Sequence, residues 1–469
     1  RGAGRENRDS PRERTTNPRL HTASVRPIGK TAERTCRQAG QRGTAGTALL
    51  RGTFGSSAMS DLCDHYRWLA GPQGKQWLAK AAESDGPLLA QLQRLRKAIG
   101  AQQARLVVQQ LELRRRAAAK FPHPESLFFT RRGLEQATDH WIAAYKARRF
   151  PSGPVADLCA GIGGDLLALA RRGPVVGVEI DFVHAILAAA NLRQANLGAE
   201  WIGLSASSGE PAARGLIVVG DACQFCVAGL QAWHIDPDRR PAGRRTVCTE
   251  FSQPNLAAME SLRAVCADAA IKLAPACPVP QRWQVEAELE WIGRRGECRQ
   301  LVAWFGRLAQ YPGKRRATLV DSTDPGGRAL RTLVGTLDCR PGVATRLGRY
   351  LFEPDATVLA AGLAGALAAE YGLEVVAAGS AYLTADDPVA DPALGCFEVC
   401  DAMPLDFRRL RQVLASRGIG QLVIKKRGLP LDPESLRRRL ALRGPNHAVL
   451  VLTRRGRSAL AILARPAER

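Results

Sequence analysis

The spacing of apolar residues along the chain changes near residue 150. Before that point apolar residues recur three and four positions apart with Arg, Lys and Gln between them, as in "LLAQLQRLRKAIGAQQARLVVQQLELRRRAAAK". This period is typical of helices with one apolar face. From Val155 onward, short apolar runs alternate with segments of helical period. The pattern predicts a helical N-terminal region over 59–150, followed by an α/β region over 151–335.

Within the α/β region, short apolar runs separated by helices are typical of a parallel, doubly wound sheet. The predicted strands are "VADLC", "VVGVEID", "GLIVVGDA", "AWHIDPD" and "AIKLAPA". The region ends differently, because "QVEAELEWIG" alternates, with apolar Val285, Ala287, Leu289 and Trp291 on one side and Glu286, Glu288 and Glu290 on the other. The turn "RRGE" and the run "RQLVAWFG" follow, which predicts an antiparallel hairpin at the end of the sheet.

The last third of the chain has a pattern of its own. Residues 313–340 predict a strand and then a connector. Residues 340–469 predict a separate small α/β domain. Its helices are "DATVLAAGLAGALAAEYG", "DFRRLRQVLASRG" and "DPESLRRRLALRG", and its strands are "QLVIKK", "AVLVLTR" and "SALAILAR".

Residues 1–58 lack any periodicity. They are rich in Arg, Gly, Thr and Ser, they contain twelve Lys or Arg and four Asp or Glu, and the first methionine of the sequence is Met59. We expect either a disordered basic arm that contacts RNA or upstream DNA translated from a wrongly chosen start. In both cases the segment has too little apolar patterning to fold alone.

The net charge of the chain indicates the kind of partner that the protein binds. The net charge is +23, of which +15 remains when residues 1–58 are set aside. Such a surplus favours a polyanion, and nucleic acid before a membrane. No apolar run approaches the roughly 20 residues that span a bilayer. The twelve cysteines have no scaffold-like spacing, and the CxxC at Cys223 and Cys226 has no second pair. We therefore expect a cytoplasmic protein without a metal site, and the oligomeric state stays open.

The stretch "DLCAGIGGD", residues 157–165, joins the first strand of the α/β region to its helix. A dinucleotide fingerprint would have a third glycine where Leu166 stands, and the Gly-Lys-Ser/Thr ending of a phosphate-binding loop is missing. Asp165, in the first turn of the helix, would repel a diphosphate, and Asp157 adds to this effect. The turn therefore favours a cationic ligand without phosphate.

Two further acids follow the next strands. Glu179 ends the second strand, eighteen residues after Gly161, where a carboxylate can bind a ribose diol. Asp221 ends the third strand, where it can accept a hydrogen bond from an adenine amino group. A nucleoside joined to a cationic amino-acid tail is S-adenosylmethionine, and this is the cofactor that the sequence predicts.

The motifs "DLCAGIGGD", "VEID", "GDA" and "IDPDRR" resemble those of class I S-adenosylmethionine-dependent methyltransferases. The segments "LEQAT", "YKARRF", "GECRQLVAWFG", "YLFEPDATVLAAGL" and "VIKKRG" resemble bacterial members with a C-terminal THUMP-like domain. The resemblance implies a Rossmann-like α/β sheet of seven strands, the last one antiparallel. It also implies that the cofactor-binding residues are Asp157, Cys159, Gly161, Gly163, Asp165, Glu179 and Asp221.

"HIDPDRR" ends the fourth strand, where the resemblance places the methyl acceptor. Asp236, with Pro237, is expected to orient the acceptor, and Lys272 at the end of the fifth strand could reach it. Amino-group methyltransferases commonly have Asp/Asn-Pro-Pro and an aromatic residue here, and this chain departs from that pattern after Pro237. A carbon-methylating route would need a cysteine nucleophile, for which Cys248 is the candidate, with Glu250 as its base.

Basic residues beside the acceptor motif and in the C-terminal domain indicate that the partner is RNA. Arg239 and Arg240 are candidate phosphate ligands beside the acceptor, and Lys425, Lys426 and Arg427 form the basic patch "VIKKRG". The sequence thus predicts an RNA methyltransferase that works mainly by aligning its substrates. Three alternatives stay open: a protein or small-molecule methyltransferase, an RNA-binding module without activity, and an NAD-dependent oxidoreductase, which Leu166 and Asp165 disfavour.

Overall fold

A computed structural model describes residues 56–84, 87–202, 215–239, 248–456 and 458–467. The predictions for the basic arm before residue 56 and for Arg240 therefore lie outside the described residues. Over the ranges that the structure covers, no helix is long and apolar enough to cross a membrane.

The N-terminal region is helical, as the apolar period predicts. Its helices are α1 (Ser56–Ala70), α2 (Pro72–Ala82), α3 (Leu88–Ile99), α4 (Ala101–Ala117), α5 (Arg131–Gln136) and α6 (His140–Ala147). Gly100, with φ of 85°, separates α3 from α4. Thr130 begins α5 by accepting a hydrogen bond from the Gly133 amide, and Asp139 begins α6 by accepting one from the Ile142 amide. These side chains satisfy amides that the helices themselves leave unpaired.

A ten-stranded sheet follows in the described part of the chain, with the order β10-β9-β7-β8-β6-β5-β1-β2-β4-β3. Its strands are β1 (Val155–Leu158), β2 (Val175–Glu179), β3 (Ala199–Ile202), β4 (Gly215–Val219), β5 (Ala232–Ile235), β6 (Ala269–Leu273), β7 (Glu288–Arg294), β8 (Glu297–Trp304), β9 (Arg315–Val320) and β10 (Ala329–Gly335). The helices among them are α7 (Leu166–Ala170), α8 (Phe182–Gln194), α9 (Leu256–Val265) and α10 (Gln281–Glu286). The strands β1 to β6 pair in parallel, and β8 pairs antiparallel with β6 and β7.

The sheet differs from the predicted one at both edges. The four-residue run of β3 is too short to give a periodic signal, and it adds a strand beyond β4. At the other edge β9 continues into β10 through a turn at 321–328, where only a connector was predicted. The alternation that starts at Val285 does not mark the beginning of a strand, because α10 occupies Gln281–Glu286. Together with β9, which the sequence predicts within 313–340, these two additions bring the implied seven strands to ten.

The alternating glutamates of β7 are buried rather than solvent-facing. Glu288 and Glu290 are both 0% exposed. The Tyr145 hydroxyl and the Trp304 indole nitrogen donate to Glu290 at 2.6 and 2.8 Å, and Arg149 lies 2.7 Å from Glu288. Buried carboxylates need such partners, because their desolvation is costly. The pairs attach α6 of the N-terminal region firmly to the sheet.

The helical region and the sheet share one core. Buried Leu69 and Phe128 belong to the same apolar cluster as Leu187 of α8. The buried side chain of Asn191, also on α8, accepts from the Phe128 amide at 2.8 Å and donates to the carbonyls of Phe128 and Ile162 at 3.1 and 2.9 Å. The segment before α5 is therefore tied to the turn between β1 and α7.

A seven-stranded sheet in the described C-terminal part has the order β12-β13-β11-β14-β17-β16-β15. Its strands are β11 (Tyr350–Pro354), β12 (Glu374–Val375), β13 (Leu383–Ala385), β14 (Leu394–Pro404), β15 (Ile419–Lys426), β16 (Asn446–Arg455) and β17 (Ser458–Pro466). The helices are α11 (Ala356–Ala361), α12 (Ala364–Tyr371), α13 (Phe407–Ser416) and α14 (Pro433–Leu440). The single helix predicted around 355–372 is two helices, because Gly362 adopts φ of 71° and ends the first one.

The first part of this segment packs on the large sheet. Helix α11 lies so close to β7 that a Cβ added at Gly293 would sit 1.8 Å from the Thr357 hydroxyl, so only glycine fits there. The later elements, in contrast, enclose apolar clusters of their own, one of them around Leu410, Leu450 and Leu463.

Candidate functional site

The turn after β1 has an unusual backbone. Cys159, Gly161 and Gly163 have φ of 61°, 57° and 96°. A positive φ at a non-glycine residue such as Cys159 is uncommon and is often associated with function. Among the residues that the structure describes, a Cβ added at Gly161 would meet no atom within 4 Å, and the same holds for Gly220, which follows β4. These residues leave open space next to the two glycines, which we call the glycine cradle and which a ligand can occupy.

Glu179 lies at the rim of this cradle. Its carboxylate accepts hydrogen bonds from the Gly161 amide at 2.6 Å and from the Asp181 amide at 2.9 Å. Burial raises the pKa of Glu179, while these backbone hydrogen bonds act in the opposite direction. The side chain therefore fixes the glycine turn to the end of β2. Each oxygen still has a lone pair for a donor from a ligand.

Asp221 occupies the corresponding position after β4. Strands β2 and β4 are neighbours and parallel, so their carboxyl ends meet at one edge of the sheet. The Asp221 carboxylate accepts from the Cys223 amide at 2.9 Å and begins a short 3-10 turn. Ile180, directly after Glu179, is 51% exposed at the same edge. Sequence reasoning missed this apolar residue, although its place after a strand-end acid is visible in "VEID".

Asp157 and Asp165 do not face open space. The carboxylate of Asp157 lies 2.7 Å from Nδ1 of His234. Asp165 lies 2.7 Å from Nζ of Lys146 and accepts from the Thr138 hydroxyl at 2.6 Å. Burial raises the pKa of Asp165, but Lys146, His234 and Lys272 together outweigh it and hold that pKa below its usual range. The fold itself thus neutralises Asp165, which weakens the argument that this residue repels phosphate.

These residues form a continuous chain of polar contacts that reaches the acceptor motif. Nζ of Lys146 lies 3.2 Å from Nε2 of His234, and Nζ of Lys272 donates to Thr138 at 2.9 Å and to Asp236 at 2.5 Å. We call this series the buried polar chain; it consists of Asp157, His234, Lys146, Asp165, Thr138, Lys272 and Asp236. An ammonium has only donors, so Nε2 of His234 accepts and the ring proton lies on Nδ1, toward Asp157.

Sequence reasoning missed three members of the buried polar chain. His234 lies within the quoted motif "HIDPDRR", Lys146 within "YKARRF" and Thr138 within "LEQAT". Only their presence in segments that resemble the family could have pointed to these residues. Local periodicity does not indicate that residue 146 pairs with residue 165.

Asp236 and Lys272 meet because their strands are neighbours. Strands β5 and β6 are parallel, and Asp236 follows one while Lys272 ends the other. Strand β5 also pairs with β1, which leads into the glycine turn. The side chain of Asp236 is about one quarter exposed, and Lys272 and Pro237 are buried. The acceptor carboxylate therefore lies at the carboxyl edge of the sheet, where ligands bind in open α/β folds.

The residue after Pro237 is held from two sides. Arg132 and Gln136 of α5 donate to the Asp238 carboxylate at 2.8 and 3.0 Å. The backbone of Asp238 exchanges hydrogen bonds with Gln253 at 2.8 and 2.9 Å. This second contact holds the turn Thr249–Phe251 beside the acceptor motif, and Phe251 on it is 67% exposed. The segment that pairs with Asp238 through Gln253 thus carries an exposed aromatic ring two residues earlier in the chain.

Three further candidate residues were predicted near the acceptor: Arg239, Arg240 and Cys248. Arg239 is half-buried, and its charge opposes the burial that raises the pKa of the Cys277 thiol to about 11. Cys248 is half-buried and precedes the turn that carries Glu250. Arg240 lies outside the described residues.

The basic patch "VIKKRG" is partly neutralised. Lys425 lies 2.5 Å from the Glu353 carboxylate and Arg427 lies 3.6 Å from it. Lys426 is exposed. A stronger cationic surface, which sequence reasoning did not single out, lies on α13 and α14. It carries exposed Arg408, Arg409, Arg411, Arg437, Arg438 and Arg439. We call these six residues the arginine face.

Comparison with known proteins identifies the fold and the family. Residues 394–466 match the family described as THUMP domain-like, and residues 61–117 match a domain of unknown function, DUF8688. A solved structure from Porphyromonas gingivalis W83, named as a candidate methyltransferase, has a TM-score of 0.65 at 20% identity and covers 88% of this chain and 100% of its own. Two uncharacterized S-adenosylmethionine-dependent methyltransferases of Mycobacterium tuberculosis, from strains CDC 1551 and H37Rv, are each 35% identical over 357 residues.

The match to these relatives covers 74% of this chain and 92% of theirs. The chain belongs to the S-adenosylmethionine-dependent methyltransferases. The predicted enzyme class, cofactor and THUMP-like domain are thereby confirmed, and the oxidoreductase alternative is set aside. Among the residues that the structure describes, no group of three or more His, Cys, Asp or Glu is placed to hold a metal ion. The roles of individual site residues in this methyltransferase stay predictions.

Proposed function

We propose that this methyltransferase transfers the methyl group of S-adenosylmethionine to RNA. The arrangement at the carboxyl edge of the large sheet carries the proposal: an open glycine cradle lies one strand from a carboxylate–lysine pair. The THUMP-like match and the arginine face support a polyanionic substrate. In this reading one part of the chain aligns the reacting atoms, and another binds the phosphate backbone of the RNA.

The residues around the cradle suit the cofactor. Among the described residues, no atom lies within 4 Å of a Cβ added at Gly161 or Gly220, so a part of the cofactor has room to approach the backbone there. Glu179 would accept from the ribose hydroxyls and Asp221 from the adenine amino group, with exposed Ile180 as an apolar surface for the base. The bound cofactor supplies an activated methyl group, because its sulfur is positively charged.

On the acceptor side, Asp236 would accept a hydrogen bond from the group to be methylated and fix its direction. Lys272 holds the Asp236 carboxylate in place through a charged hydrogen bond. Phe251 presents a ring against which a planar base can stack, an interaction that contributes about 1–3 kcal/mol per base in single-strand binding. Such an exposed ring favours a nucleobase as the methyl acceptor, although the sequence after Pro237 lacks the aromatic residue of the family motif.

Phosphate contacts would come from the arginine face, together with Lys426 and, beside the acceptor, Arg239 and Arg240. Guanidinium groups bind phosphate in a bidentate manner and contribute affinity without reading sequence. Lys425 and Arg427 would contribute less than Lys426, because Glu353 already pairs with them.

The direct test is methyl transfer from labelled S-adenosylmethionine to total RNA from cells in which the gene has been deleted. Mass spectrometry of the nucleosides then identifies the modified base. We expect label in RNA with the parent enzyme and at most background with Asp236→Ala, while calorimetry shows unchanged cofactor binding. Incorporation into the protein or small-molecule fraction, with none into RNA, would overturn the RNA assignment in favour of those alternatives.

A further inference from the structure

The buried polar chain contains one link that comes from outside the catalytic sheet. Thr138 lies between α5 and α6 in the N-terminal region and is buried. Its hydroxyl donates to Asp165 at 2.6 Å and accepts from the Lys272 ammonium at 2.9 Å. An ionised carboxylate only accepts and an ammonium only donates, so a group placed between them must do both. A hydroxyl meets this requirement.

The position of Thr138 is fixed by the glycine turn. A Cβ added at Gly164 would lie 3.0 Å from both the amide nitrogen and the carbonyl oxygen of Thr138, so the two backbones are in close contact. The next residue after Gly164 is Asp165, which the Lys146 ammonium holds at 2.7 Å. Thr138 is therefore anchored to the element that forms the cofactor cradle.

Lys272 connects this anchor to the acceptor motif. Two of the three donors of its ammonium are used by Thr138 and by Asp236. Besides the pairing of β1 with β5, one hydroxyl and one ammonium thus connect the side chains of the cofactor turn to the acceptor carboxylate. We propose that Thr138 is a positioning residue, whose hydroxyl places Lys272 and, through it, Asp236 for methyl transfer.

The inference rests on the proposed role of Asp236 at the acceptor, and it does not depend on which acceptor is used. It gives the N-terminal helical region a part in the chemistry besides its packing on the sheet. Because methyl transfer depends mainly on alignment, a displacement of about 1 Å can lower the rate on the order of 100-fold.

The test compares Thr138→Val, which keeps the shape and removes the hydroxyl, with Thr138→Ser, which keeps the hydroxyl. With S-adenosylmethionine and total RNA from gene-deleted cells, we expect Thr138→Val to lower kcat about 10- to 100-fold. The KM for S-adenosylmethionine should stay close to that of the parent enzyme. Thr138→Ser should restore most of kcat. A merely structural role of the hydroxyl would instead lower the melting temperature of Thr138→Val and leave its kcat per folded molecule unchanged.

Crystal structures and a third variant test the positioning role independently of the acceptor and of the folding of Thr138→Val. Crystal structures of the parent and Thr138→Val should show the Lys272 ammonium and the Asp236 carboxylate displaced in the variant, whatever the acceptor is. If Thr138→Val does not fold, Thr138→Cys, which keeps a weak donor and acceptor, should have a kcat between those of parent and Lys272→Met. An unmoved Lys272–Asp236 pair, or equal kcat in parent and folded variant, would overturn the positioning role. Failure of the parent to methylate any RNA would overturn the proposed substrate, and the displacement would still decide the role of Thr138.

Discussion

Charged side chains are used in opposite ways in the two sheets of this enzyme. At the large sheet the Lys146–Asp165 pair has side chains only 2% and 8% exposed, whereas the Arg437–Glu434 pair of α14 is 47% and 71% exposed. Buried charges lose much hydration energy, so each depends on its partner. Exposed charges are screened by water and salt and depend little on one another. The same residue types therefore fix geometry in one region and, under the proposed function, attract a polyanion in the other.

The largest effect should come from breaking a buried pair. Lys146→Met leaves the Asp165 carboxylate buried without its ammonium, and we expect a loss of about 3–5 kcal/mol in the free energy of unfolding. Denaturant unfolding measures this loss. The matched control is Arg437→Met, which breaks an exposed pair and should leave the unfolding midpoint nearly unchanged. Equal effects of the two substitutions would contradict the contrast between the regions.

The next effect concerns cofactor binding. Glu179→Ala removes the acceptor for the Gly161 and Asp181 amides and the proposed ribose contact, so we expect S-adenosylmethionine binding to weaken by roughly 1–3 kcal/mol. Isothermal titration calorimetry measures the change. Glu179→Gln, which keeps one carbonyl oxygen, should lose less. Binding as tight as in the parent enzyme would show that Glu179 only shapes the turn.

The contrast between buried and exposed charge also explains what the sequence could and could not predict. The glycine turn and the acids Glu179 and Asp221 belong to local strand–turn–helix units, so their places follow from short motifs. The pairing of Lys146 with Asp165 depends on how α6 packs on the sheet, which no local pattern encodes. For the same reason Glu288 and Glu290 alternate as a solvated face would, yet they are fully buried.

In the C-terminal region, too, the partners of the basic patch at 425–427 could not be predicted from local sequence. Its three basic residues are adjacent in sequence, whereas the Glu353 that pairs with two of them is 72 residues before Lys425. The arginine face, in contrast, combines two short basic runs, 408–411 and 437–439, and only the packing of α13 against α14 brings them together, as the stacking of Arg439 on Phe407 shows. Sequence clustering therefore does not reveal which basic residues have a nearby carboxylate partner and which helices adjoin.

RNA binding should accordingly depend more on the arginine face than on the patch. Replacing Arg408, Arg409 and Arg411 together by Gln should flatten the plot of log affinity against log salt by about two units, at roughly 0.7–0.9 per lost phosphate contact. Replacing Lys425, Lys426 and Arg427 by Gln should flatten it by about one unit, since mainly Lys426 is available. Fluorescence anisotropy with a single-stranded RNA across a salt series distinguishes the two. A larger change for the patch variant would reverse the ranking.

The smallest predicted effect is a gain in RNA affinity rather than a loss. Glu353→Gln removes the carboxylate that pairs with Lys425 and Arg427, so both cations become available to phosphate. Because partly exposed ion pairs contribute only about 0.2–1 kcal/mol, the gain in RNA affinity at low salt should be no more than a few-fold. The same anisotropy assay should show a slightly steeper salt dependence than the parent. The matched control is Glu434→Gln on α14, which frees only Arg437 and should change the slope by less. If Glu353→Gln weakens RNA binding, the carboxylate holds the patch in its binding position rather than competing with phosphate.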